Sequence, residues 1–301
     1  MSASARVCAE LIPRSPAQHV ESADGTRIAY RVTGSGPTIV LVNGLSTSDF
    51  FWQALIARLV PDHRVITWDY KGHGESEPAR TDFGTQIPSL ADDMRRVMDV
   101  TGTERAVLVG FSMGCQVTLE AWRAFPERIG GLGLVLGPAG RVFDTALRPF
   151  VGPGIQRLFR RMPPPWLPPV FGVAHRVARL PVSFTMGRWM RLYGRAACNV
   201  DVMRYVEHFG RLDPRTLTRI ALQAGEHDAR DVLPTIDVPS VVVAGDRDIF
   251  APPLTVGLPM HAAIPGSRLL RLGEGTHLSL VEHPEPIGDA IEQLLRDADW
   301  R

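Results

Sequence analysis

Gly110-Phe111-Ser112-Met113-Gly114 constrains this chain more than any other segment, because of what stands on either side of it. Arg105-Ala106-Val107-Leu108-Val109 precedes it, a short apolar run that reads as a buried parallel strand. Cys115-Gln116-Val117-Thr118-Leu119-Glu120-Ala121-Trp122 follows, and reads as a helix with an apolar stripe. A serine between such a strand and helix is forced into a strained turn, and the small flanking residues let other backbone pass close to it. The hydroxyl is then presented at the carboxyl edge of a sheet, beside a helix N-terminus that favours developing negative charge. In a chain with 28 glycines the bare pentapeptide recurs by chance; its setting makes Ser112 a candidate nucleophile.

A serine hydroxyl attacks poorly until a base takes its proton, so the chain must also supply a histidine and a carboxylate. In this architecture they are expected after the serine, acid first, each in a loop just beyond a strand. The β-branched run Ser240-Val241-Val242-Val243-Ala244-Gly245 breaks into Asp246-Arg247-Asp248. Farther on, Arg268-Leu269-Leu270-Arg271-Leu272 alternates like a strand and opens into Gly273-Glu274-Gly275-Thr276-His277. His283 competes with His277, but Pro284 and the periodic stretch behind it mark a helix start, where His283 reads as a surface or capping group. His73, inside a Gly-rich turn, reads as structural.

These segments together resemble the α/β-hydrolase superfamily over nearly the whole chain. Ile39-Val40-Leu41-Val42 with Asn43-Gly44-Leu45 and Trp52 is similar to its oxyanion-loop region. Asp69-Tyr70-Lys71-Gly72-His73-Gly74-Glu75-Ser76 is similar to its Asp-x-Arg-Gly-x-Gly-x-Ser segment. The resemblance implies a Ser112, Asp248, His277 triad, and it points to Asp248 rather than Asp246, which reads as a turn residue. It also implies an oxyanion hole from the backbone N–H groups of Met113 and Leu45. Two departures stand out. Where the family has His-Gly this chain has Asn43-Gly44; Asn43 reads as a shorter bracing residue, with direct substrate contact by Asn43 and Gly44 as the other reading. Lys71 replaces an arginine and reads as coding bias, being the one lysine beside 32 arginines.

Strands are expected over 28–32, 38–42, 64–68, 106–109, 131–136, 240–244 and 268–272. Helices are expected over 50–59, 89–100, 116–124, 254–262 and 286–297. The alternation implies a doubly wound, mainly parallel α/β sheet, with a short antiparallel pair added near Gly25. From 141 to 233 no buried strand is visible, and the segment resembles the family's inserted helical cap. Core is therefore expected at 19–140 and 234–301, the cap at 141–233, and an N-terminal extension at 1–18. Short helices are expected at 154–161 and 182–194, separated by the proline-rich stretch 162–169, which cannot be helix interior. Between Arg141 and Val200 there are ten arginines and one acid, Asp144, interleaved with aromatic residues. Arginines on a solvated outer face explain this pattern; an anionic lipid or carrier is the alternative.

A formal charge of +1 points to neither nucleic acid nor an acidic partner. Residues 1–20 lack the apolar core of a signal peptide, and no run is long enough for a transmembrane segment, so a cytoplasmic location is expected. Cys8, Cys115 and Cys198 suggest no disulfide framework and no metal site. The expected activity is hydrolysis of a small carboxylic ester with an apolar acyl group, with no cofactor and no metal. The apolar preference rests on the Phe, Trp, Met and Leu content of the insertion. A thioesterase or lactonase would use the same triad, and a ligand receptor of this fold that signals through its cap would also retain it.

Overall fold

Ile39 and Leu41 pack on one side of the sheet and Val40 and Val42 on the other, as successive residues of a strand must. Residues 14–146 and 151–300 are described in the computed structural model. Cys8 and most of the 1–18 extension lie outside them. Eight strands form one sheet: β1 (Gln18–Glu21), β2 (Arg27–Thr33), β3 (Thr38–Val42), β4 (Arg64–Trp68), β5 (Ala106–Phe111), β6 (Ile129–Val135), β7 (Ser240–Gly245) and β8 (Arg268–Leu272). Their spatial order is β1-β2-β4-β3-β5-β6-β7-β8. β1–β2 and β2–β4 are antiparallel, and every later pairing is parallel.

Helices fill the intervals: α1 (Gln53–Leu59), α2 (Ile87–Val100) and α3 (Met113–Ala124) before β6. Between β6 and β7 stand α4 (Val142–Thr145), α5 (Val151–Arg161), α6 (Leu167–Ala178), α7 (Pro181–Trp189), α8 (Asn199–Phe209) and α9 (Pro214–Ala224). α10 (Gly257–Ala263) precedes β8, and α11 (Ser279–Glu282) and α12 (Pro284–Asp297) follow it. Leu55 and Leu59 of α1 with Ile291 and Leu294 of α12 cover one face of the sheet. Leu90 and Met94 of α2 with Val117 and Leu119 of α3 cover the other. Each such side chain, fully buried, stabilises the fold by roughly 1.5–3 kcal/mol. β5 is buried along its whole length, so its carboxyl end is held from both sides.

Several boundaries differ from expectation for visible reasons. The helix expected from 50 opens as a 3-10 turn, Asp49–Trp52, before α1 begins. The helix expected from 254 starts only at Gly257, after Pro252 and Pro253. Pro168 and Pro169 lie inside α6, but in its first turn, where the missing N–H groups have no partner to lose. α7 stops at Trp189, and Arg191 then takes a positive φ of 60° that turns the chain away. α8 and α9 were not anticipated, although Asp213 caps α9 by accepting the Thr216 N–H at 2.8 Å and Pro214 opens it. Cys115 is free and buried, whereas Cys198 is disulfide-bonded, so the expectation of no disulfide does not extend to it.

Candidate active site

β5 ends in Phe111 and α3 begins at Met113, which leaves a single residue, Ser112, to reverse the chain. Ser112 does so at φ 54° and ψ −123°, a conformation that a residue with a Cβ adopts only when its surroundings impose it. Its N–H donates to Val135 of β6 at 2.9 Å, and its carbonyl accepts the Cys115 N–H at 2.9 Å. The flanking glycines are needed for close approach. A Cβ on Gly114 would lie 2.3 Å from the Val42 carbonyl, and one on Gly110 would lie 2.5 Å from the Gly114 carbonyl.

The loops after β7 and β8 are joined by backbone. Asp246 N–H donates to Leu272 O and Arg247 N–H to Gly275 O, both at 2.9 Å. This places Asp248 beside His277, with His277 Nδ1 2.8 Å from Asp248 Oδ2. The other carboxylate oxygen accepts the N–H groups of Phe250 at 2.8 Å and Ala251 at 2.9 Å, so the acid is both buried and oriented. An acceptor at Nδ1 puts the ring proton there and leaves Nε2 as a lone pair. That lone pair lies 2.9 Å from Ser112 Oγ, where it can accept the hydroxyl proton. Asp246 is elsewhere, paired with Arg271 on the surface. His283 occupies the N-cap position of α12 with no side-chain cap bond.

The loop after β3 passes directly over the serine. A Cβ on Gly44 would meet the Phe111 ring at 2.8 Å and Ser112 Cβ at 3.0 Å. Among the described residues, neither Leu45 nor Met113 has an acceptor for its N–H, so both groups are available beside Ser112. The Asn43 side chain is turned into the core. It is 1% exposed, its amide donates to Trp68 O at 2.6 Å, and its carbonyl oxygen accepts Trp52 Nε1–H at 2.8 Å. Both ends of the side chain are thus bonded inside the core. The Asn43 backbone carbonyl is held as well, by Tyr70 Oη–H at 2.5 Å.

His73 completes the brace. Its Nδ1 lies 3.0 Å from Lys71 O, and its Nε2 accepts the Ser46 N–H at 3.1 Å. Burial lowers its pKa to about 4, so near neutrality the ring is uncharged with the tautomer this pair of bonds requires. Ser46 itself sits at φ 61°, and its hydroxyl meets Tyr205 of α8 at 2.8 Å. Tyr205 carries no surrounding motif and could not have been found by reading along the chain. Lys71 is not explained by coding bias alone. It is fully buried, with Nζ 2.9 Å from Asp93 and 2.9 Å from Gly84 O, and it stabilises a buried carboxylate whose pKa burial raises to about 6.

A second contact from the region between β6 and β7 reaches the histidine loop. Glu282 of α11 is fully buried, accepts the Thr276 hydroxyl at 2.8 Å, and accepts the Gly194 N–H. Thr276 immediately precedes His277. The apolar side chains that keep partial exposure near the three polar groups are Leu45, Leu278 and Phe250, whose ring lies 5.0 Å from that of His277.

The model of the Alpha/beta hydrolase family matches residues 39–290. An uncharacterized protein of Mycobacterium tuberculosis is 27% identical over 289 residues, which cover 93% of this chain and 81% of that protein. Among solved structures, a thermophilic esterase from Thermogutta terrifontis, malate bound, is 26% identical with a TM-score of 0.73, over 94% of this chain and 99% of its own. The enol-lactonase from Burkholderia xenovorans LB400 is 23% identical with a TM-score of 0.74, over 93% and 100%, a likeness of fold alone.

Proposed function

Since the chain belongs to the alpha/beta hydrolase family, we propose that it hydrolyses carboxylic esters with an apolar acyl group, through a covalent intermediate on Ser112. The observation that carries this reading is the pair of bonds at one ring, 2.9 Å from His277 Nε2 to Ser112 Oγ and 2.8 Å from Nδ1 to Asp248. His277 takes the Ser112 proton as Oγ bonds to the substrate carbonyl carbon. Asp248 holds the ring and stabilises the imidazolium that forms. The carbonyl oxygen becomes an oxyanion, received by the N–H groups of Leu45 and Met113; one such donor contributes roughly 3 kcal/mol of transition-state stabilisation. His277 then gives its proton to the departing alkoxide, the C–O bond breaks and the alcohol leaves. Water repeats the sequence against the acyl group, and the free acid is released.

The apolar preference now rests on Leu45, Phe250 and Leu278 beside the reacting groups rather than on the insertion's composition, since Trp166 and Trp189 are exposed. Residues 141–233 form a cap in this reading, meeting the core with Tyr205 at Ser46 and Gly194 at Glu282 and packing Ile220 and Ala224 of α9 into it.

A panel of esters, thioesters and lactones of graded acyl length, run with the native chain and with Ser112→Ala, tests the proposal. Fastest steady turnover on esters with an apolar acyl group, with kcat lowered by ~10⁴-fold or more in Ser112→Ala, is expected. Preference for thioesters or lactones would reassign the substrate class. Release of one equivalent of product with no steady turnover would favour a receptor, and undiminished activity in Ser112→Ala would remove the mechanism.

A further inference from the structure

Trp166, Val170, Val173, Val177 and Leu180 follow at steps of four and three residues along α6 and its two flanks, and all five are exposed. That spacing puts side chains on one line of a helix. α7 repeats it with Val182, Met186 and Trp189, the last 83% exposed. The stripe is not the packed side of α6. Leu167 is buried, and Phe171 stacks on Phe209 of α8 with ring centroids 5.4 Å apart. Eleven of the fifteen exposed large apolar side chains lie in 151–190, so this surface concentrates what the rest of the described chain keeps inside.

The charge around the stripe is of one sign. Between Asp144 and Asp201 the sequence holds nine arginines and no aspartate or glutamate. Arg176 and Arg188 are exposed on the two helices and Arg179 just beyond α6, and Arg188 bonds the neutral Asn199 side chain at 2.8 Å with no ion pair among the described residues. On α5, by contrast, Arg160 pairs with Glu226.

We propose that the α6–α7 stripe docks on an anionic phospholipid surface, its apolar side chains at the acyl boundary and its arginines on the lipid phosphates. Charge selects this occupant over a second copy of the chain, since a two-fold pairing of the stripe would set arginines against arginines. Among the described residues no helix is long and apolar enough to cross a membrane, so the contact is peripheral. The inference stands on the helices alone and does not depend on the hydrolytic reading.

The test is co-sedimentation of the full chain with vesicles of phosphatidylcholine, with and without phosphatidylglycerol. Binding should require phosphatidylglycerol and weaken as salt rises from 0.1 M, where the Debye length is ~10 Å, to 1 M, where it is ~3 Å. Arg176→Gln, Arg179→Gln and Arg188→Gln together should weaken binding roughly tenfold or more. Val173→Asp with Val177→Asp should abolish it at either salt. All three arginines are exposed, so their triple variant reports on docking even if the valine pair disturbs the fold. Failure of the native chain to sediment with phosphatidylglycerol vesicles at low salt would overturn the proposal, as would unchanged binding by the folded triple variant. A dimer in sedimentation velocity that the same variants dissociate, with no vesicle binding, would assign the stripe to a second copy instead.

Discussion

The sheet and the helices inserted between β6 and β7 treat apolar residues in opposite ways. In the sheet, β3, β5, β6 and β7 are buried along their whole length, and helices cover both faces. In the insertion, α6 packs through Leu167 and Phe171 while a second apolar line faces outward. The polar groups divide in the same way. Those around Ser112 are held by bonds from several strands, whereas the insertion reaches them through Ser46 and Glu282. A nucleophile and its base must stay within a few tenths of an ångström of each other, which a packed sheet can enforce.

The comparison predicts that perturbing the sheet side costs most. Asp248→Asn should lower kcat by ~10³-fold or more, because an amide cannot stabilise the imidazolium, while the ion-paired Asp246→Asn should change it less than about threefold. Steady-state kinetics on one ester decide this, and equal losses would mean that the wrong carboxylate has been assigned.

His73 supplies the next largest effect, in stability rather than rate. Its folded pKa of about 4 lies below the ordinary 6.5 because burial disfavours the charged ring. A depressed pKa contributes stability that is complete above 6.5 and is lost as pH falls toward 4. Between pH 7 and 5 that loss should be ~2 kcal/mol. Thermal melts across this range should show a shallower acid limb in His73→Gln than in the native chain, although the variant starts less stable. Parallel limbs would show that another group carries the acid sensitivity.

Tyr205→Phe should give the smallest effect, because it removes one hydroxyl at the boundary of the two regions. A loss of roughly threefold in kcat/KM, with a melting temperature lowered by no more than about 2–4 °C, is what one net hydrogen bond supports. A loss as large as that of Asp248→Asn would erase the distinction between the sheet side and the α8 contact.

Much of the fold is legible along the chain because its signals are local. The strands at 38–42, 64–68 and 268–272 have the expected bounds, each being a short run between turn residues. The elbow at Ser112 is legible for the same reason, since strand, strained turn and helix occupy consecutive residues. Order along the chain also placed an acid and a histidine after the serine. It could not by itself separate Asp246 from Asp248, two residues apart in one loop. The two part only in space, where Asp246 faces Arg271 and Asp248 faces His277. Nor could order along the chain show that Trp52 and Trp68 take both ends of the Asn43 amide. The partnership of His73 with Ser46 and of Ser46 with Tyr205 spans 27 and 159 residues. The same limit holds for the insertion. The spacing of its apolar residues is written in the sequence, but which line of α6 meets α8 and which meets solvent depends on residues more than 30 positions away. Periodicity and turn chemistry act between near neighbours and so can be read directly, whereas the partner of a buried polar group or of a helix face is decided only when distant segments pack.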